Sequence, residues 1–365
     1  MGTNKGKLLL TAGVFSLLSL VVSSPVSGAD YITSPLNGKV LEPSTAPQEY
    51  SFFIAGHIYG APESPSVFPA ASFLANIDMI NNSGASFLVL TGDIFQKAKP
   101  PYIGNLQRSV IADVEIPIFN AVGNHDTFNR QLYQTSFGQT YYEFRYGSAL
   151  YIILDGQLDN GTITGQQWVW LQNLLYEAAG AADIKNIFLF SHNLIWSKND
   201  GSLAQIVYPH VNSHAGYENI ADFKTRIMPE ITHLSQSKKV FMISGDIGVS
   251  GSLPMFYYED AKYNIVYLAS GLGDTVHDAI IKVNIMEEDN VTFTPVSLTG
   301  EEMADMQHYG IDYWEEWRGS IFSRLQEKAR KVLTSIFFQL GIAFTLTGLV
   351  IITGGFVILK KMRGR

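Results

Sequence analysis

Apolar residues in this chain gather into short runs that stop abruptly on polar pairs. Ser51-Phe52-Phe53-Ile54-Ala55 runs into Gly56-His57, and Phe87-Leu88-Val89-Leu90-Thr91 into Gly92-Asp93. Ile116 to Val122 ends at Gly123-Asn124-His125-Asp126, Ile187 to Ser191 at His192-Asn193, and Val240 to Ser244 at Gly245-Asp246. Runs of this length, rich in β-branched and aromatic residues and closed by Gly or a polar residue, predict buried strands with sharp exits. Between them lie candidate helices, Phe68 to Asn81 and Gly165 to Glu177, and the alternation predicts a mixed α/β domain from about Ser51 to Leu298. Two hairpins are also predicted: Tyr141 to Phe144 with Ala149 to Leu154, and Met255 to Tyr258 with Asn264 to Leu268.

Two further apolar stretches do not fit a core. Leu8 to Ser23 follows Lys5 and Lys7 and precedes the small residues Ser27-Gly28-Ala29, so residues 1–29 are expected to be a signal peptide or an N-terminal anchor. Val332 to Leu359 carries no charge and is long enough to cross a bilayer, for which roughly 20 apolar residues suffice. Four positive charges lie in the tail 360–365, which the positive-inside rule places in the cytoplasm. The expected organisation is therefore a domain over 30–300 outside the cytoplasm, a juxtamembrane helix over 301–331, a transmembrane helix over 332–359 and a basic cytoplasmic tail. For 301–331, with Trp314 and Trp317 among charged neighbours, a C-terminal helix packed on the domain is the alternative.

Charge narrows the partners. Residues 30–314 hold 14 Lys and Arg against 30 Asp and Glu, a net charge of −16, which disfavours nucleic acid. The chain has no cysteine, so no disulfide supports the outer domain.

The strand ends carry the chemistry. In open α/β sheets ligands bind outside the carboxyl ends of strands, so five such ends could converge on one site. Carboxylate, amide oxygen and imidazole together make a mixed N/O donor set suited to Mn, Fe or Zn. Asp93 lies 31 residues before Asn124, and His192 lies 68 after it. In this order and spacing the motifs resemble the calcineurin-like metallophosphoesterase family over roughly residues 50–298. Tyr141 to Phe144 followed by Leu154-Asp155 is similar to the segment that follows the Asn-His motif in extracytoplasmic members. The resemblance implies a four-layer αββα sandwich and hydrolysis of a phosphoester by a metal-activated hydroxide. It implies that Asp93 bridges two metals, that Asn124, His192 and Asp246 hold the second and that His57 holds the first. It also implies that His125 protonates the leaving oxygen or stabilises equatorial charge, with Asp126 orienting its ring.

Two motifs depart from the family. Its Asp-x-His reads Ala55-Gly56-His57 here, and its Gly-His-x-His reads Gly245-Asp246-Ile247-Gly248. Both losses fall on the first metal, so the expectation is a divalent transition metal at a reduced, one-ion site. Two ions with recruited ligands is the alternative; His210, His214, Asp274, His277 and Asp278 are the candidates, and an empty site is the third reading. The function expected is a membrane-anchored, extracytoplasmic phosphoester hydrolase acting on a phosphorylated small molecule at the membrane surface, with lipid contact through the C-terminal helix and protein partners left open. A catalytically impaired binding or assembly protein with the same fold is the alternative.

Overall fold

The computed structural model describes residues 31–42, 48–62, 64, 66–159, 161–197, 203, 205, 207, 223–248 and 255–317. Residues 1–29, 318–331, 332–359 and 360–365, and with them the expected leader, span and tail, lie outside the described residues, as do His210 and His214. Among the described residues no helix is long and apolar enough to cross a membrane.

A short ladder of β1 (Ile32–Thr33) and β2 (Val40–Leu41) precedes two larger sheets. One sheet has five strands: β3 (Tyr50–Ala55), β4 (Phe87–Leu90) and β5 (Ile118–Asn120) run parallel, and β12 (Ala279–Ile285) and β13 (Val291–Ser297) extend it antiparallel in the order β13-β12-β3-β4-β5. The other has six: β6 (Tyr142–Tyr146), β7 (Ala149–Ile153), β8 (Asn186–Ser191), β9 (Lys239–Ser244), β10 (Met255–Asp260) and β11 (Ile265–Ser270), ordered β10-β11-β9-β8-β7-β6. Both expected hairpins form, with Tyr142 opposite Ile153 and Met255 opposite Ser270.

Period-two alternation explains how the sheets stack. Phe52, Phe87, Phe119, Phe144, Tyr151, Phe188 and Phe241 all point into one shared core between them. There the Phe119 and Phe144 rings stack at 4.1 Å and those of Phe188 and Phe241 at 4.5 Å. The alternate residues, such as Phe53, Leu88 and Ile118, face α1 (Ala71–Leu74), α2 (Ile77–Asn81), α3 (Pro100–Leu106) and α4 (Arg130–Phe137). Leu150, Leu189 and Met242 face α5 (Gly165–Gly180) and α6 (Met228–Leu234) on the opposite side. Three cores separate four layers, the αββα order expected.

Two expectations are corrected. The helix expected over 68–81 breaks into α1 and α2 because the Asn76 amide donates to the carbonyls of Ser72 and Leu298, at 2.8 and 2.9 Å, in place of a continuous helical ladder. The domain also does not end at 300. Residues 311–317 are helical, and Trp314 is fully buried against Phe256, its indole N–H donating to the Met255 carbonyl at 3.1 Å. A buried aromatic side chain of this kind removes about 150–250 Å² from solvent. The described half of 301–331 is thus a packed part of the domain, the alternative reading of that segment.

Candidate metal centre

The ends of β3, β4, β5, β8 and β9 meet at one side of the stack, so the site straddles both sheets. The glycines permit the approach. A side chain at Gly92, where φ is +87°, would place Cβ 2.6 Å from His192 Nδ1, and one at Gly123 would come 2.1 Å from the Asp93 carboxylate. His57 and Asp93 themselves adopt left-handed backbone, φ 56° and 54°, which turns each side chain back over its strand end. Such conformations cost on the order of 1–3 kcal/mol each and gather at functional sites.

Asp93 is the hub. Its Oδ2 lies 3.1 Å from His57 Nε2, 3.4 Å from His192 Nε2 and 4.0 Å from His125 Nε2. Donor atoms of His57, Asp93 and His192 all fall within 4.8 Å of one another, and all three residues are buried. Burial alone would push the Asp93 carboxyl up, but the facing His192, His57 and His125 rings hold it well below the usual carboxylate range. Burial, with His57 alongside, lowers the pKa of His192 against the pull of Asp93 and favours the neutral ring. The His192 Nδ1 proton goes to the Thr91 carbonyl, 2.8 Å away, since a carbonyl only accepts. That fixes the tautomer and leaves Nε2 as a lone pair aimed at Asp93.

Two orphaned atoms test whether a metal fits. His192 Nε2 and Asn124 Oδ1 are buried with no hydrogen-bond partner. An unprotonated imidazole nitrogen and an amide oxygen left dry are costly unless something electrophilic meets them, so the donor set fits a divalent ion. Asp246 lies behind His192, its Oδ1 3.6 Å from Nε2, with the Gly245 and Asp246 N–H groups bonded to the His192 carbonyl.

Asp126 does not orient His125. Its carboxylate accepts from the backbone N–H groups of Asp93, Ile94 and Gly123, at 2.9, 2.9 and 2.8 Å, and so clamps the Asp93 turn to the loop after β5. Burial and the Asp93 charge push its pKa up, while those three donors pull it down, with a net rise. The ring of His125 is held instead by the Gln96 carbonyl, 2.6 Å from Nδ1, while Nε2 faces the Tyr59 hydroxyl at 3.4 Å.

Tyr59, Gln96 and Arg130 escaped the sequence reading. Each follows a strand-end motif by a few residues, which is a usable signal, but none belongs to a run of chemical residues. Arg130 forms a two-pronged ion pair with fully buried Asp155 and ties the start of α4 to the end of β7. None of the described candidates for recruited ligands reaches the hub. Asp274 accepts from the Ala61 N–H, Asp278 from Gly273, Thr275 and Ser72, and His277 pairs with Glu301.

What this fold and site define is an α/β domain with a buried N/O donor set at its strand ends, suited to a divalent ion. Residues 66–228 match the family model described as calcineurin-like phosphoesterase, in agreement with the resemblance seen in the sequence. The matched range spans the Asp93, Asn124 and His192 motifs and excludes the two departing ones. Among solved structures the chain is similar to a dimetal phosphatase from Danio rerio, 13% identical over 68% of this chain and 96% of that one, TM-score 0.47. It is also similar to a purple acid phosphatase from yellow lupin (Lupinus luteus) seeds, 14% over 72% and 54%, TM-score 0.48, and to the NAD nucleotidase of Haemophilus influenzae, 11% over 68% and 56%, TM-score 0.35. The chain spans just over half the length of the latter two. No curated protein matches it in sequence.

Proposed function

We propose that the domain hydrolyses phosphoesters at a centre built for one divalent ion, held by His57, Asp93, Asn124 and His192, with Asp246 behind them. The observation that carries this reading is the convergence of two imidazoles on one Asp93 carboxylate oxygen. A divalent ion there supplies Lewis-acid polarisation of a phosphoryl oxygen and a bound water of lowered pKa. The chain's own residues do the rest. Asp93 and His192 present an ionised oxygen and a neutral nitrogen, and the glycines bring them into reach. His125, fixed through Gln96, presents Nε2 at the mouth, where in its charged form it delivers a proton to the leaving alcohol oxygen as the phosphorus–oxygen bond breaks.

Replacing His125 with Ala should leave the metal content unchanged and lower turnover of an aryl phosphate by roughly 10² to 10⁴, the range for a positioned proton donor. Loss of the metal in that variant would transfer His125 to the ligand set and overturn its role.

The same reading places the domain outside the cytoplasm on a membrane anchor, supported by the uncharged stretch from Val332 to Leu359 and the basic tail behind it. Protease added to intact cells or spheroplasts should digest the domain, and protection there would refute the topology.

A further inference from the structure

A cleft of 510 Å³ opens beside the centre, lined among others by Tyr59, Ser66, Phe68, Asp274, Thr275 and Asp278. Tyr59 joins the two spaces: its ring lies 4.6 Å from that of His57 and 4.9 Å from that of His125, and its hydroxyl reaches His125 Nε2. A phosphoester with its phosphate at Asp93 and its leaving oxygen at His125 therefore has this cleft as the neighbouring space for its alcohol.

The walls specify that alcohol. Phe68 is 49% exposed, a large apolar ring held at the cleft by Ser66, whose hydroxyl accepts from the Phe68 N–H at 3.0 Å and donates to its carbonyl at 3.3 Å. On the loop after β11, Asp274 lines the same cleft, exposed and held in place by the Ala61 N–H, which donates to its Oδ2 at 3.0 Å. Asp278 adds a second carboxylate, buried and accepting from Gly273, Thr275 and Ser72. Among the described lining residues there is no Lys, Arg or His. The nearby His277 is paired with Glu301 at 2.7 Å. Two carboxylates and no cation repel a leaving group that bears further phosphates. An aromatic face with a carboxylate beside it is the pairing that favours an ammonium group.

We propose that this cleft is the leaving-group subsite and that it selects phosphoesters of alcohols carrying an ammonium group. The proposal rests on the hydrolase reading for its kinetic consequence, but not for the binding preference itself. Phosphocholine and its uncharged isostere 3,3-dimethylbutyl phosphate differ only in charge, so their kcat/KM ratio on full-length metal-loaded protein reads the subsite. A preference of about tenfold for phosphocholine is expected, falling towards one in Asp274→Asn, which keeps an oxygen acceptor for Ala61, and in Phe68→Ala.

In parallel, choline and 3,3-dimethylbutanol are titrated by ligand-observed nuclear magnetic resonance, which needs no turnover. Preferential binding of choline that both variants weaken supports the subsite even if neither ester is hydrolysed; that result would count against the hydrolase reading alone. Equal binding of the two alcohols, or a preference that Asp274→Asn and Phe68→Ala leave intact, overturns the subsite whatever the turnover.

Discussion

Asp93→Ala is expected to strip the protein of its metal and bring phosphoester turnover down to the uncatalysed background. The expectation follows from the geometry of one oxygen. Asp93 Oδ2 is the atom that His57 and His192 both face, so its removal takes away the carboxylate on which the two buried rings converge. A donor set that loses its central anionic oxygen holds a divalent ion less well, because the carboxylate cancels part of the charge brought out of water. Elemental analysis and an aryl phosphate assay on the same sample check both halves. Retention of a stoichiometric ion by Asp93→Ala would move the centre elsewhere, and full activity would remove Asp93 from the chemistry.

The second large effect concerns position 248. Gly248 sits at φ +101°, and a Cβ there would stand 2.1 Å from the Gly271 carbonyl oxygen. Gly248→His, the change that would restore the family's last histidine, should therefore destabilise the fold and not recruit a second ion. Backbone strain of about 1–3 kcal/mol and overpacking of about 1–3 kcal/mol act together, enough to lower the unfolding midpoint by many degrees in chemical or thermal denaturation. Ala55→Asp meets a related obstacle, since Ala55 is fully buried in the helix-facing core, where a new carboxylate has apolar neighbours. Native protein is expected to hold one ion per chain. Two tightly bound ions in the unmodified protein, or a soluble, folded Gly248→His variant that gains one, would refute the reduced site.

Much of this arrangement was legible in the runs of apolar residues, because burial on both faces of a strand leaves a continuous signature. The ends of β3, β4, β5, β8 and β9 fell where the polar pairs stop those runs, and so did the His57, Asp93 and His192 group. What the pattern could not carry was the partner of each side chain. Asp126 follows His125 directly and invites a pairing of neighbours, yet its carboxylate turns to three backbone N–H groups, and the ring finds Gln96. The helix over 68–81 failed for a similar reason: Asn76 completes bonds with Leu298, 222 residues away, which no local propensity encodes. Position 248 shows the limit most plainly. A glycine in place of histidine reads as a lost ligand, whereas in space it is the residue that lets two strand-end loops pass each other.

The seam between the two sheets gives the centre a mechanical meaning. His57, Asp93 and Asn124 hang from the five-stranded sheet, and His192 and Asp246 from the six-stranded one. An occupant of the hub is therefore a staple driven through both sheets, adding to native stability as RT ln(1 + [L]/Kd) with its free concentration. Chelation would then loosen the grip of one sheet on the other as well as stop chemistry, and the domain's resistance to unfolding would rise and fall with the metal supply around it.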